Sequence, residues 1–216
     1  MTMQSINPAT GELLAEFDAW DQETLDAVLT QAGYMFQDWS KLTPIEDRCL
    51  MMRNVAKVLR DDSDLLAEII TLEMGKTLVE AEAEIEKCAW VCEFYAEHGP
   101  DYMADETVET DATKSYVTYL PLGPVLAVMP WNYPFWQVFR FAAPAIIAGN
   151  VALLKHASNV PQCALAIEEV FRKAGFPDHV FTTLMIGAPQ VESVIRHPMV
   201  RAVTLTGSEA AGRKVA

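Results

Sequence analysis

Apolar residues recur along this chain with two different periods, and the change of period falls near its middle. From Ile6 to Phe17 short strand-like runs flank a turn at Asn7-Pro8-Ala9-Thr10-Gly11. Helical spacing follows: Asp21 precedes Leu25, Val28, Leu29 and Ala32, so it should cap a helix. Thr43-Pro44-Ile45-Glu46 reads as a capping box with proline at the first helical position, opening a helix to about Arg60. A third helix is expected from Ser63 to Met74, stopped by Gly75. Thr77-Leu78-Val79-Glu80 reads as a second capping box, opening a long helix that should end near His98-Gly99-Pro100. Its acidic residues Glu80, Glu82, Glu84 and Glu86 read as a solvated face.

After Gly99 the pattern changes. Ser115-Tyr116-Val117-Thr118-Tyr119 alternates and is β-branched, which predicts an extended arm or hairpin before the turn Pro121-Leu122-Gly123-Pro124. Strand-like and helix-like stretches then alternate. Strands are expected at Val125–Met129, Val151–Leu154, Val180–Met185 and Ala202–Thr206, and helices after Pro134, over Pro161–Ala174, over Pro189–Arg196 and from Ser208. The strands are unbroken apolar runs, as expected where both faces of a sheet are covered. The alternation predicts an α/β fold with a doubly wound parallel sheet, which binds ligands beyond the carboxyl ends of its strands. Trp131-Asn132, Lys155 to Ser158, Gly187 and Gly207-Ser208 all follow such ends.

Composition narrows the partners. The 216 residues are 51% hydrophobic and carry a net charge of −14, which argues against nucleic acid or an anionic membrane surface. No apolar run reaches eighteen residues, and MTMQSINPATGE lacks the basic start and apolar core of a secretory signal, so a cytoplasmic protein is expected. The charge is uneven. Residues 1–111 hold 25 acidic and 7 basic residues, whereas residues 112–216 hold 5 and 9; this reads most simply as long solvated helices in the first half, and otherwise as a second half that must tolerate an anionic ligand. Cys49, Cys88, Cys92 and Cys163 are scattered, Cys88 and Cys92 lie one helical turn apart with no histidine nearby, and no metal site is expected.

Met129-Pro130-Trp131-Asn132-Tyr133-Pro134 joins a strand to a helix, with two prolines fixing the chain direction around Asn132. A rigidly held amide is a good oxyanion donor because it is neutral; equally, an asparagine there can simply satisfy a local turn. The stretch Pro130-Trp131-Asn132-Tyr133-Pro134, then Leu153-Leu154-Lys155-His156-Ala157-Ser158, then Leu205-Thr206-Gly207-Ser208 with Gly212, occur in an order and spacing that resemble the aldehyde dehydrogenase superfamily. Asn7-Pro8-Ala9-Thr10-Gly11-Glu12 and Glu73-Met74-Gly75-Lys76 resemble it too, and the resemblance spans the whole chain but only about the first half of the family's pattern.

The resemblance implies roles. Asn132 would donate to the oxyanion formed when a cysteine thiolate attacks an aldehyde. Met129, Pro130 and Trp131 would line the cleft for NAD(P)+, and Lys155 with His156, Ala157 and Ser158 would meet the adenosine ribose. Gly187 would admit the adenine end. Thr206, Gly207 and Ser208 would meet the pyrophosphate, although Gly207-Ser208 also reads as an ordinary helix cap. Ser158 is small and neutral where NAD-restricted relatives commonly carry glutamate, so NADP+ should be accepted; alternatively Ser158 caps the helix near Pro161. The Rossmann-like cofactor domain would comprise residues 1–102 and 122–216, with residues 103–121 as an oligomerisation arm, implying a homo-oligomer. The family's cysteine nucleophile and activating glutamate follow the pyrophosphate segment, so the chain ending at Ala216 is expected to lack both. A truncated, non-catalytic nucleotide-binding or structural chain of the same family is the alternative.

The substrate expectation rests on Arg140. Helical repeat places Tyr133, Trp136, Gln137 and Arg140 on one face, running from Asn132 along the aldehyde's entrance. An arginine eight residues after the asparagine, and the stretch Tyr119 to Arg140, resemble the bacterial succinate semialdehyde dehydrogenases of that superfamily. A small aldehyde with a distal carboxylate is therefore expected, with Arg140 clamping the carboxylate and Trp136 and Tyr133 beside it. Otherwise Arg140 pairs with an acid of the protein itself, or of a neighbouring subunit, and never meets substrate.

Overall fold

Residues 2–216 are described by a computed structural model. Thr2–Ile6 (β1) and Leu13–Asp18 (β2) form an antiparallel hairpin around the Asn7–Gly11 turn, where the Asn7 side chain accepts from Ala9 N at 2.9 Å. Asp21 caps Gln22–Leu42 (α1) by accepting from Thr24 N at 2.8 Å. Ile45–Asp61 (α2), Ser63–Met74 (α3) and Leu78–Tyr102 (α4) follow. Gly75 stops α3 at φ 85°, a left-handed conformation in which a side chain would also strike the Pro8 ring. Thr77 caps α4, accepting from Glu80 N and donating to Glu80 Oε2.

Two helix boundaries differ from expectation. Thr43 closes α1 and Pro44 takes the cap position of α2 with no side-chain cap hydrogen bond, so the first capping box does not form. Helix α4 does not end at Gly99-Pro100 but runs on to Tyr102. Proline removes the N–H that would reach the carbonyl four residues earlier. Here that carbonyl, Ala96 O, is taken by Arg53 Nη2 at 3.1 Å, so the loss is made good. Gly99 is a packing residue rather than a stop: a Cβ there would lie 2.6 Å from Ile147.

Glu106–Thr107 (β3) and Tyr116–Val117 (β4) pair as a short hairpin that leaves Tyr116, Val117, Tyr119 and Leu120 exposed. Pro124–Met129 (β5), Val151–His156 (β6), Phe181–Thr183 (β7) and Ala202–Leu205 (β8) then build a parallel sheet in the order β7-β6-β5-β8. Trp136–Ile147 (α5) and Pro161–Lys173 (α6) make the first two crossovers. A short 3-10 turn at Ala188–Gln190 and Val191–Arg196 (α7) make the third, and Glu209–Val215 (α8) follows β8. The chain grows outward from β5 to β7 and then returns to β8 on the other side. The reversal puts a topological switch point between β5 and β8, where such sheets open a crevice.

The helices α2, α3 and α4 pack on α5 and α6, and one hydrophobic cluster runs from α1 through these layers into the sheet. Two buried carboxylates tie the layers together. Glu73 of α3 accepts from Gln162 N at 2.9 Å and Cys163 N at 2.7 Å, capping α6; Glu84 of α4 accepts from Phe135 N and Trp136 N, each at 2.9 Å, at the start of α5. Glu84 was expected on a solvated face, and the structure corrects this. It falls three residues after buried Ala81 and four before buried Cys88, on the helix stripe that faces the protein. Among the described residues no helix is long and apolar enough to cross a membrane, and no cluster of metal-ligating side chains occurs.

Candidate active site

Register sorts the strand ends onto two faces. Val128 lies opposite both Lys155 and Leu205, so these three side chains share one face; Met129 lies opposite His156, and Ala127 opposite Thr204, on the other. On the first face a cleft of about 740 Å³ is lined by Val128, Lys155, Pro189, Leu205, Ala211 and Lys214 among others. It sits at the carboxyl ends of β5, β6 and β8, beside α7 and α8. On the second face a groove of about 620 Å³ runs between α4 and α5, lined by Trp90, Phe94, Met129, Trp136, Arg140 and Thr204 among others.

Lys155 is 7% exposed, yet no carboxylate pairs with it among the described residues. Its ammonium donates to His156 O at 2.7 Å and reaches Ser158 Oγ at 3.5 Å. Burial alone pushes its pKa down. A buried, under-compensated cation lining an open cleft is the chemistry that an anionic or hydroxyl-rich ligand would satisfy. Ser158 is exposed and does not cap α6, a task that Glu73 performs, so its hydroxyl remains beside the Lys155 ammonium.

His156 behaves otherwise than expected of a cofactor contact. Its ring is 5% exposed, Nε2 lies 2.9 Å from Pro134 O, and Nδ1 accepts from Ala157 N at 2.8 Å. Burial drives its pKa down to about 4, so it is neutral with Nε2–H donating to Pro134. Both ring nitrogens are spent inside the protein, and the residue pins the β5–α5 loop to the end of β6. Met129 likewise faces the α4–α5 groove, and its neighbour Val128, which sequence reasoning passed over, faces the cleft. Strand alternation was the available signal.

Asn132 is exposed between Trp131 and Tyr133, both 49% exposed, and half-buried Pro130 precedes them. Its Oδ1 accepts from Tyr133 N at 3.1 Å, so the side chain does satisfy its local turn. The same bond aims the amide, because it occupies the carbonyl oxygen and leaves the NH2 group without a protein partner among the described residues. Tyr133 is drawn over the Lys76 ammonium, 3.7 Å from its ring centroid, and does not line the groove with Trp136 and Arg140. Trp136 carries Lys87 over its ring at 3.9 Å.

Arg140 forms no ion pair among the described residues; its one side-chain hydrogen bond there runs from Nη2 to Thr206 Oγ1 at 2.7 Å. The alternative of an internal acid partner is therefore not what the structure shows, and the guanidinium stays exposed at the groove. Thr206 thereby lies between the two faces, its backbone N bonded to Val128 O at 3.0 Å. Ser208 caps α8, accepting from Ala211 N at 3.2 Å, which is the ordinary cap. A side chain at Gly207 would meet its neighbours at ordinary contact distance, and Gly187 adopts extended backbone at φ −80°, a conformation open to any residue. Cys49, Cys88, Cys92 and Cys163 are all buried, and burial pushes every one of the thiols up, so none of them is an activated nucleophile.

The aldehyde dehydrogenase family model matches residues 1–216. A protein of Synechocystis sp. named probable succinate-semialdehyde dehydrogenase, NADP(+), is 52% identical over the whole chain, which covers 47% of that protein. Succinate-semialdehyde dehydrogenase NADP(+) 1 of Mycobacterium tuberculosis is 47% identical, again over the whole chain and 48% of its own length. The succinic semialdehyde dehydrogenase of Streptococcus pyogenes, solved in complex with NADP+, superposes with a TM-score of 0.95 at 38% identity, over 99% of this chain and 47% of that one. The chain thus spans about half the length of the relatives it matches. Family model, relatives and fold agree: this chain belongs to the aldehyde dehydrogenase family.

Proposed function

We propose that the protein takes part in the NAD(P)+-dependent oxidation of succinate semialdehyde to succinate, with residues 1–216 supplying the cofactor cleft, the oxyanion donor and the carboxylate clamp. The observation that carries the substrate is Arg140, a guanidinium with no acid partner among the described residues, on a groove also lined by Met129 and Trp136, which flank the Asn132 loop in sequence. One of its donors is committed to Thr206, and the rest of its fork can take a carboxylate in two parallel hydrogen bonds. Trp136, one helical turn before Arg140 and on the same groove, gives the aliphatic stretch of the substrate an apolar wall. The relatives named above as succinate-semialdehyde dehydrogenases support the same reading.

The cleft at the β5–β8 switch point fits a dinucleotide: it is large, open, and faced by a buried lysine that no carboxylate neutralises among the described residues. When bound, NAD(P)+ supplies the hydride acceptor. Lys155 and Ser158 would hold the adenosine ribose, and the small neutral Ser158 leaves room for a 2′-phosphate beside the ammonium. The start of α8 at Thr206-Gly207-Ser208 would lie against the pyrophosphate. Asn132 donates its amide N–H to the aldehyde oxygen as negative charge builds there on thiolate addition. The thiolate itself is assigned to a cysteine outside residues 1–216, since all four thiols here are buried and held high. The exposed hairpin around Glu106–Thr107 and Tyr116–Val117 is proposed as a surface for pairing between copies of the protein.

The test is Arg140→Leu in the complete protein, assayed with succinate semialdehyde and with butanal. Succinate semialdehyde should lose about 1.5–3 kcal/mol in kcat/KM, the scale of a hydrogen bond to a charged group, while butanal changes little. An equal fall for both aldehydes would make Arg140 structural and remove the substrate assignment.

A further inference from the structure

The loop that presents Asn132 is held by buried residues that line neither the cleft nor the groove. Glu84 Oε1 accepts from both Phe135 N and Trp136 N at 2.9 Å, and Glu84 Oε2 accepts from Lys76 Nζ. The two side chains are 1% and 7% exposed. The same Lys76 ammonium lies 3.7 Å from the centroid of the Tyr133 ring, the residue next to Asn132. One buried ion pair therefore grips the chain at three points, one, three and four residues after Asn132. His156 holds Pro134 O between them.

Stability alone gives a weak reason for such a pair. Two charges taken out of water cost several kcal/mol each, and apolar replacements of similar volume are often no less stable. The N–H groups at the start of α5 do need an acceptor, but a serine or asparagine cap within the loop would meet that need locally. A carboxylate reaching across from α4, itself fixed by Lys76, does something a local cap does not: it ties the loop to the rigid helical layer.

We propose that Glu84, held by Lys76, is the positioning residue for Asn132, fixing the Asn132–Trp136 turn so that the amide meets the oxygen on which charge develops. The inference rests on the reading of Asn132 as the oxyanion donor. A donor displaced by about 1 Å loses on the order of a hundredfold in rate, so the effect of the clamp falls on kcat rather than on binding.

Single substitutions would strand a buried charge, so the test uses paired variants of the complete enzyme. Lys76→Met/Glu84→Gln keeps a neutral acceptor for Phe135 N and Trp136 N. Lys76→Met/Glu84→Ala removes it, and Lys76→Met/Glu84→Leu removes it while filling the volume, should the alanine version not fold. Each is measured with and without Asn132→Ala. With Asn132 present, the alanine or leucine pair should lower kcat about 10–100-fold with KM for aldehyde and NADP+ within about threefold, and the glutamine pair should recover kcat to within about fivefold. With Asn132→Ala present, all pairs should share one kcat within about twofold, because the clamp acts through the amide. Equal losses in both backgrounds, or no difference between glutamine and alanine pairs, overturn the proposal. A wild-type kcat for Asn132→Ala alone instead overturns the oxyanion reading on which it stands.

Discussion

If the cleft holds the nicotinamide dinucleotide as proposed, Lys155 and Ser158 would decide which form it takes. A buried ammonium with only a carbonyl and a hydroxyl near it is under-compensated, and its lowered pKa is the sign of that. A 2′-phosphate placed at Ser158 would offset the desolvation, whereas a carboxylate at that position would compete for the ammonium and repel the phosphate. The protein should therefore accept NADP+, and Ser158→Glu should lower kcat/KM for NADP+ relative to NAD+ by about 10–100-fold, or about 1.4–2.7 kcal/mol. Steady-state kinetics with both cofactors check this. Wild-type discrimination above about 10³ in favour of NAD+ would mean that another group excludes the phosphate.

At the scale of elements, the β5–α5 loop is fastened to β6 by His156, and that bond is made by the neutral ring. The sign follows from the shift. The folded pKa of about 4 lies below the ordinary 6.5, so the unfolded chain takes up the proton first as pH falls. Stability from this group is full above pH 6.5 and is lost progressively toward pH 4. Between pH 7.5 and 5 the loss should be about 2 kcal/mol. Urea unfolding at the two pH values, compared between wild type and His156→Gln, isolates the term: the variant should lose about 2 kcal/mol less over this window. Equal losses would place the histidine in water-accessible surroundings.

The same elements show how far the sequence carries. Helix α3 and its Gly75 stop, the Asp21 cap, and the four parallel strands with their crossovers were legible because each depends on neighbours in sequence. Pro100 inside α4 was not, since the carbonyl it abandons is satisfied by Arg53, 43 residues away. Glu84 was misassigned for a different reason: its residue type suggested a solvated surrounding, while the helical stripe on which it sits faces the protein. Asn132 and Arg140 stood out in the sequence by residue type and place, but the bonds their side chains make, to Tyr133 N and to Thr206 Oγ1, could come only from the structure.

Over the whole molecule, the charge asymmetry of the chain has a structural counterpart. The acids of the first half lie mostly on the outer faces of the helical layer, where Arg60 bridges Glu86 and Glu93 and Lys57 meets Asp61; such exposed pairs contribute little to stability. The cleft is instead faced by Lys155, Arg196 and Lys214 against one acid, Glu192, which Arg196 already engages. Cationic groups thus gather on both sides of the Asn132 loop: around the cleft on one face, and at Arg140 beside the groove on the other. On the proposed reading, this arrangement serves an aldehyde bearing a distal carboxylate. The most direct measurement is kcat/KM of the complete protein for succinate semialdehyde and for butanal, with NADP+ as oxidant. A preference for succinate semialdehyde of at least about a hundredfold is predicted, because a site built around a polar group discriminates strongly against an analogue that leaves it unpaired. Comparable values for the two aldehydes would contradict the account.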